Sequence, residues 1–353
     1  VVTARYDSRS TGFLTAIAIL LGVLGYLGTQ ILAMAMVLQS ILADVASIGL
    51  LPLGACMAIS CAVLVFYCVT GGIIASVYTD LVQGIIMVVA ALLVVSATVA
   101  SVDGGLEGMT RTILADDAES MNPWGTRGIV GCLSWYFVFV FGVAGQPHLI
   151  TKLMMTKKLD DARVMLPMSV GGFLLTALLW ISIGLCMRTL VLQGAHPPLG
   201  EPDQASPEFL KTYAHPVLAG VVFAGLMAAI MSTADSFLNI GAAAVVHDIP
   251  RALRGRSLDN ELLWARVATV IIAAIASGVA LASGKMVALL GAVGWSVFSG
   301  AIVPTVAIGF NWKRATPLAC NLAILTSLAL NVGLQVFSVT LPHLFYNGAL
   351  SLL

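Results

Sequence analysis

Four polar side chains inside an otherwise apolar run are where this sequence first offers chemistry. In Ala228-Ala229-Ile230-Met231-Ser232-Thr233-Ala234-Asp235-Ser236-Phe237-Leu238-Asn239, the residues Ser232, Asp235, Ser236 and Asn239 fall at i, i+3, i+4 and i+7, one face of a helix. Thr233 adjoins Ser232 and stands one turn from Ser236. Hydroxyls, a carboxylate and an amide on one face are hard oxygen ligands, able to replace the hydration shell of a cation such as Na⁺. A second reading stands beside this one: Ser and Thr bond back to carbonyls one turn earlier, and Asp235 joins an interhelical hydrogen bond.

Two further stretches carry polar groups in apolar surroundings. In Thr70-Gly71-Gly72-Ile73-Ile74-Ala75-Ser76-Val77-Tyr78-Thr79-Asp80-Leu81-Val82-Gln83, the glycine pair is expected to end one span, with Asp80 at the mouth of the next and Thr79 able to cap that helix. Asp80 then reads either as a first-turn acid facing the helix dipole or as a carboxylate that senses or relays a cation near the cytoplasmic side. In Gly142-Val143-Ala144-Gly145-Gln146-Pro147-His148, Pro147 breaks a helix and frees a carbonyl one turn back. Broken helices at membrane depth are tolerated where they line protein or a cavity. His148 is expected at the interface, without a proton-relay role. Trp135, Tyr136, Phe137, Phe139 and Phe141 just before it are packing or belt residues, one face of which could line a solute cavity.

The elements that carry these residues are membrane helices. Hydrophobic residues make up 59% of the 353 and charged residues 10%, with a mean hydropathy of +1.00. Soluble domains carry about 25% charged residues, so the solvent that suits this chain is lipid. Apolar runs long enough to span a bilayer are read at about 12–40, 47–71, 78–101, 128–147, 165–190, 215–246, 262–284, 287–310 and 316–340. They make one transmembrane domain over 1–353, an all-α bundle of about nine spans. The ninth is broken at its far end by Asn331, Gln335 and Pro342.

With Val1 cytoplasmic, Arg5, Arg9, Lys152, Lys157, Lys158, Arg163, Arg251, Arg254, Arg256, Arg266, Lys313 and Arg314 fall inside, against Arg111, Arg127, Arg188, Lys211 and Lys285 outside. Twelve against five is a positive-inside bias. The segments 102–127 and 191–214 are the long outer loops. Their polar stretches, of about 25 residues, are too short to fold as soluble domains. Net charge is zero, which argues neither for nor against nucleic acid, and none is expected as a partner. Cys56, Cys61, Cys68, Cys132, Cys186 and Cys320 lie in apolar runs and read as small buried hydrophobes. Walker A, dinucleotide and zinc spacings are absent. The chain starts at Val1 with no signal-peptide pattern and ends on the apolar run Tyr346 to Leu353, so both ends read as cut.

The three polar stretches, in order and across successive spans, resemble the sodium:solute symporter family, which includes sodium/proline, pantothenate and sodium/glucose symporters. The matching residues are Gly71-Gly72 through Thr79-Asp80 and Gln83, then Gly145-Gln146-Pro147-His148 with a basic loop, then Ala229-Ile230-Met231-Ser232-Thr233-Ala234-Asp235-Ser236 through Asp248. The resemblance implies the leucine-transporter-type bundle of two inverted five-helix repeats, entered here at the third core helix. It implies a sodium site on the Ala229 carbonyl and the Ser232 and Thr233 hydroxyls, and a sodium-coupling role for Asp80. Tyr26 matches a solute-contacting tyrosine of the proline-type members. Their Trp and Tyr positions fall here on Phe139 and Val143, a departure that speaks against proline itself. With Gln146, these residues make the candidate solute cavity.

The implied activity is sodium-coupled import of a small organic solute, an amino acid or carboxylate, by alternating access in a cell membrane, expected to be a bacterial inner membrane. The partners are that solute, the sodium ion and the lipid bilayer; no covalent chemistry, enzyme activity or cofactor is expected. The oligomeric state stays open. Two alternatives are a proton in place of sodium and a symporter-like sensory module of a histidine kinase. A channel or structural bundle is a third.

Overall fold

Hydrocarbon offers a peptide group no hydrogen-bond partner, so a chain this apolar closes its backbone bonds within helices. The computed structural model describes residues 2–43, 51–283 and 287–337, and among these it is helical throughout, with no strand. Its helices are α1 (Val2–Tyr6), α2 (Arg9–Ala43), α3 (Leu53–Ala100), α4 (Gly105–Asp116), α5 (Gly128–Ala144), α6 (Pro147–Met154) and α7 (Leu159–Leu192). They continue with α8 (Ala205–Thr212), α9 (Pro216–Ala243), α10 (Ile249–Arg254), α11 (Glu261–Ser283), α12 (Val287–Val297), α13 (Gly309–Asn311) and α14 (Pro317–Val336). π-helical turns at Ala244–Asp248, Phe298–Ile302 and Pro304–Ile308 continue α9 and α12.

Nine stretches of the described residues are long and apolar enough to cross a membrane: Arg9–Ala43, Leu53–Gly71, Ser76–Ala100, Gly125–Met154, Asp160–Leu192, Pro216–Arg254, Glu261–Ser283, Gly291–Asn311 and Pro317–Leu334. Their number and order match the expectation from hydropathy. Several run further, from Arg9, from Asp160 and to Arg254, because helical hydrogen bonding continues past the charged residues at which an apolar count stops. Residues 47–50, 284 and 338–340 of the expected spans, Lys285, Pro342, and the apolar run from Tyr346, lie outside the described residues.

The span that begins at Leu53 ends at Gly71, as the glycine pair leads one to expect, while the helical hydrogen bonding of α3 runs on from Leu53 to Ala100. The Tyr67 hydroxyl nevertheless contacts the Thr79 hydroxyl, twelve residues on. Twelve residues of straight helix span about 18 Å, beyond the reach of these two side chains, so the axis bends between them. A glycine pair is a common site of such a kink. Thr79 is therefore inside the helix and caps nothing; its hydroxyl donates to the Ser76 carbonyl at 2.9 Å.

The core forms around α2, whose buried residues include Val23, Leu27, Ile31 and Met34, packed with Phe237 and Leu238 of α9, Ile272 of α11 and Phe298 beyond α12. A second cluster joins α3, α7, α8 and the start of α9 through Val94, Ile183, Met187, Phe209 and Val222. Of the six cysteines expected to be buried, Cys56, Cys68, Cys186 and Cys320 are, while Cys61 and Cys132 are half-buried.

Segments assigned to the same side of the membrane meet one another. On the expected cytoplasmic side, Arg5 donates from Nε to the Gly309 carbonyl at 2.7 Å and from Nη2 to that of Trp312 at 3.1 Å, while the Tyr6 hydroxyl donates to the Thr305 carbonyl at 3.0 Å. On the expected outer side, Arg188 pairs with Asp116 at 2.7 Å, and Asp203 accepts from the Val287 amide at 3.0 Å.

Candidate functional site

The polar face of α9 divides into two groups. Ser232 and Thr233, both half-buried, donate from their hydroxyls to the single carbonyl of Ala229, at 3.0 and 3.1 Å. Three oxygens anticipated as cation ligands thus lie together. Asp235, 1% exposed, turns to α3 instead, accepting from Ser76 Oγ at 2.9 Å and from Ser236 Oγ at 3.2 Å. Ser236 also reaches the Ser232 carbonyl at 3.0 Å. The back-bonding and the interhelical carboxylate bond of the alternative reading are therefore both present. They do not close the site to a cation, since a hydroxyl that donates its proton to a neighbouring carbonyl keeps its lone pairs. Asn239, one turn further, lines a separate cleft of about 530 Å³ with Cys68, Arg266 and Thr269.

Asp80 is a mid-helix residue of α3, not a helix start. Its Oδ2 lies 2.7 Å from the Lys152 ammonium of α6, and its Oδ1 is buried with no hydrogen-bond partner among the described residues. Asp80 faces Lys152 of α6 and Asp235 of α9 faces Ser76, so α3 is tied to both neighbours within one short segment.

Pro147 breaks the fourth span as expected. α5 stops at Ala144, Gln146 is extended at φ −67° and ψ 118°, and Pro147 takes the first position of α6, where its missing N–H costs nothing. Gln146 is buried at the break. His148 is 8% exposed, its ring edge-on to Phe237 at 4.5 Å, because α6 folds inward against α9 after the break.

Of the four cavity candidates, Tyr26 and Phe139 meet through a residue the sequence reading passed over, Trp295 of α12. The indole stacks on Tyr26 at 5.6 Å and 24°, and stands edge-on to Phe139 at 4.7 Å and 81°. Tyr26 also packs on Phe237 at 4.9 Å. Val143 lies half-buried one turn along α5 from Phe139. The helices come this close because two glycines face the rings. A Cβ at Gly142 would stand 2.9 Å from Trp295 Cβ, and one at Gly294 would stand 2.8 Å from the backbone nitrogen and Cβ of Tyr26. The only signal of Trp295 in the sequence was an aromatic flanked by small residues in an apolar run.

The structure thus shows an all-helical bundle of membrane-length helices with a broken span. Hydroxyl and carbonyl oxygens gather on one face of α9 and a cluster of aromatic rings sits between α2, α5 and α12, an arrangement suited to a membrane transporter. The chain belongs to the sodium:solute symporter family, whose model matches residues 1–320. It is 28% identical over 273 residues to the osmoregulated proline transporter OpuE of Bacillus subtilis (strain 168), covering 76% of this chain and 54% of OpuE. It is 24% identical over 349 residues to the sodium/pantothenate symporter of Haemophilus influenzae, covering 97% of this chain and 69% of that protein. The chain thus spans about half the length of the proline transporters it matches. Its fold is that of a Na⁺-coupled sialic acid symporter solved in a substrate-bound outward-open state, with a TM-score of 0.72 at 21% identity, over 99% of this chain and 74% of that one. The fold class is the leucine-transporter-type helical bundle, and the protein is a multi-pass membrane protein of a transporter family, not of an enzyme family.

Proposed function

We propose that the protein is a sodium-coupled symporter that carries a small carboxylate-bearing solute, an amino acid or a similar acid, by alternating access. The observation that carries this reading is the convergence of the Ala229 carbonyl with the Ser232 and Thr233 hydroxyls on one half-buried face of α9. A charge at mid-membrane costs about 2.5–3.5 kcal/mol on insertion scales, and this group of oxygens offsets that cost for a monovalent cation. Proline, pantothenate and sialic acid, the solutes in the names of the related proteins, differ in size and polarity but each carry a carboxylate.

In this reading sodium binds at Ala229, Ser232 and Thr233, and solute binds against Tyr26, Phe139, Val143 and Gln146. The sodium site lies on α9 and the solute site on α2 and about the α5–α6 break, both packed against α9, so occupying one biases the same rearrangement as occupying the other, and the coupling is reciprocal. Asp80 acts on the cytoplasmic side of that path, where Lys152 holds its carboxylate until a cation competes for it. The test is uptake of labelled L-proline, pantothenate and a panel of amino acids and carboxylates by cells expressing the protein, with sodium or with choline in its place. Uptake that requires sodium, and that falls in Ser232→Ala and Thr233→Ala, supports the proposal. Uptake indifferent to sodium overturns it, and dependence on a pH gradient alone would assign a proton instead.

A further inference from the structure

Near the expected cytoplasmic end of α9, a cleft of about 530 Å³ opens between α3, α9 and α11. Its volume falls in the range of small-molecule sites, roughly 300–1,000 Å³. Its walls are mostly apolar: Val69 on α3, Ala242 and Ala243 on α9, Val246 on the π-helical turn that follows, and Ala265 on α11. Outside the cleft α3 and α11 carry further apolar side chains into the surroundings, among them Phe66, 71% exposed, and Leu262, 68% exposed. In a membrane-spanning bundle such surfaces meet acyl chains, and the cleft carries that apolar surface inward between the helices.

The charges at the cleft are unequally matched. Glu261 Oε1 lies 3.4 Å from His247 Nδ1, and Arg251 Nη1 lies 3.4 Å from Nε2 of the same ring. A guanidinium only donates, so Nε2 accepts and Nδ1 keeps the proton that it offers to Glu261. The carboxylate lining the cleft is therefore engaged. Arg266, exposed and about 7.5 Å of helix beyond Glu261, has neither an ion pair nor a hydrogen bond among the described residues. A charge within a span is costly unless it is met by a counter-charge or reaches the interface. Beyond the mouth, Arg254 and Arg256 are exposed and likewise without an ion pair among the described residues, so the surface there is basic. We propose that this cleft binds an anionic phospholipid of the cytoplasmic leaflet, with an acyl chain along Val69, Ala243 and Ala265 and the phosphate on Arg266. A guanidinium fork matches a phosphate group, and basic residues beside a span attract anionic lipid. The site does not depend on the symport reading; it adds a lipid ligand to the helix that carries Ser232 and Thr233.

The experiment follows the melting temperature of the detergent-purified protein titrated with phosphatidylglycerol, with phosphatidylcholine and with glycerol phosphate. A ligand that binds the folded state raises that temperature in a saturable way. Wild type is expected to show a saturable rise with phosphatidylglycerol and none with the other two. Arg266→Gln should raise the half-maximal phosphatidylglycerol concentration on the order of ten-fold, the loss of one charge-assisted contact. Ala243→Phe leaves every charge in place but fills the cleft, and should abolish the rise. Arg254→Gln, outside the cleft, should stay close to wild type. No saturable rise in wild type, or an equal rise with phosphatidylcholine, overturns the proposal. Protection by glycerol phosphate alone would mean a phosphate site without a lipid, and equal losses in Arg266→Gln and Arg254→Gln would mean diffuse surface charge; either result overturns it too. If Arg266→Gln does not accumulate in the membrane, Ala243→Phe decides: a lost rise supports the proposal and a wild-type titration overturns it.

Discussion

The hydroxyl of Ser76 donates a 2.9 Å hydrogen bond to Oδ1 of Asp235, 159 residues further along the chain. It ties the bent segment of α3 to the helix that carries the candidate sodium ligands. Asp235 is almost wholly buried, and a carboxylate so placed depends on the donors it keeps.

Removing that donor tests the tie. Ser76→Ala leaves Asp235 with the Ser236 hydroxyl and is expected to lower stability by about 1–3 kcal/mol, read as a reduced melting temperature of the detergent-purified protein. Asp235→Asn, which needs less solvation, should lose less when combined with Ser76→Ala than wild type loses from Ser76→Ala alone. Additive losses would mean that the two residues do not act as a pair.

Ser232→Ala and Thr233→Ala each remove one hydroxyl from the Ala229 carbonyl. Each should raise the sodium concentration for half-maximal uptake on the order of ten-fold, the value of one hydrogen-bonding group on a charged ligand. The solute KM at saturating sodium should move much less. The discriminating measurement is the sodium titration at fixed solute; an unshifted midpoint in both variants would remove these residues from the ion's path.

The Asp80–Lys152 pair is 18% and 35% exposed at its side chains and 2.7 Å long. Taking away one partner strands the other charge, so Asp80→Asn or Lys152→Met alone should cost about 1–3 kcal/mol, less than the cost for a fully buried pair. The double variant should cost less than the sum of the singles. Thermal unfolding of the four proteins in a double-mutant cycle measures this, and a coupling energy near zero would show that the contact contributes nothing to the fold.

Gly142→Ala and Gly294→Ala place a methyl group within 3 Å of Trp295 and Tyr26 respectively. Overpacking of this kind costs about 1–3 kcal/mol. Gly294→Ala is expected to be the worse, because it meets the Tyr26 backbone nitrogen at 2.8 Å, whereas the nearest backbone atom at Gly142 stands 3.2 Å away. Equal stability of Gly294→Ala and wild type would mean that α2 and α12 are free to part there.

What the sequence made legible follows from what leaves a local mark. Apolar runs must be long to cross a bilayer, so the spans are visible; the Ala229–Ser236 stretch is visible because polar residues in lipid are rare. Pro147 announces its own break. Gly71 marks the end of its span, but Thr79-Asp80 is not a helix start, because a hydroxyl followed by an acid has the composition of a cap while a continuous helix can carry the same letters. The burial of His148 leaves no local mark, because it depends on how α6 folds back after the break, a matter of tertiary packing against Phe237. Trp295 could not be found from its neighbours in sequence, since its partners, Tyr26 and Phe139, sit on other spans.

The contacts of Arg5 and Tyr6 with the carbonyls of Thr305, Gly309 and Trp312 have an evolutionary consequence. The acceptors of these three bonds are all main chain, so relatives can exchange the side chains at 305 and 312 without losing one of them. Only at 309, where any side chain would meet the Tyr6 hydroxyl, is the residue type itself held. The joint between the start of the chain and its eighth span would therefore leave almost no trace in the co-variation of residue pairs. It would show instead as a lone arginine whose partners look free to drift.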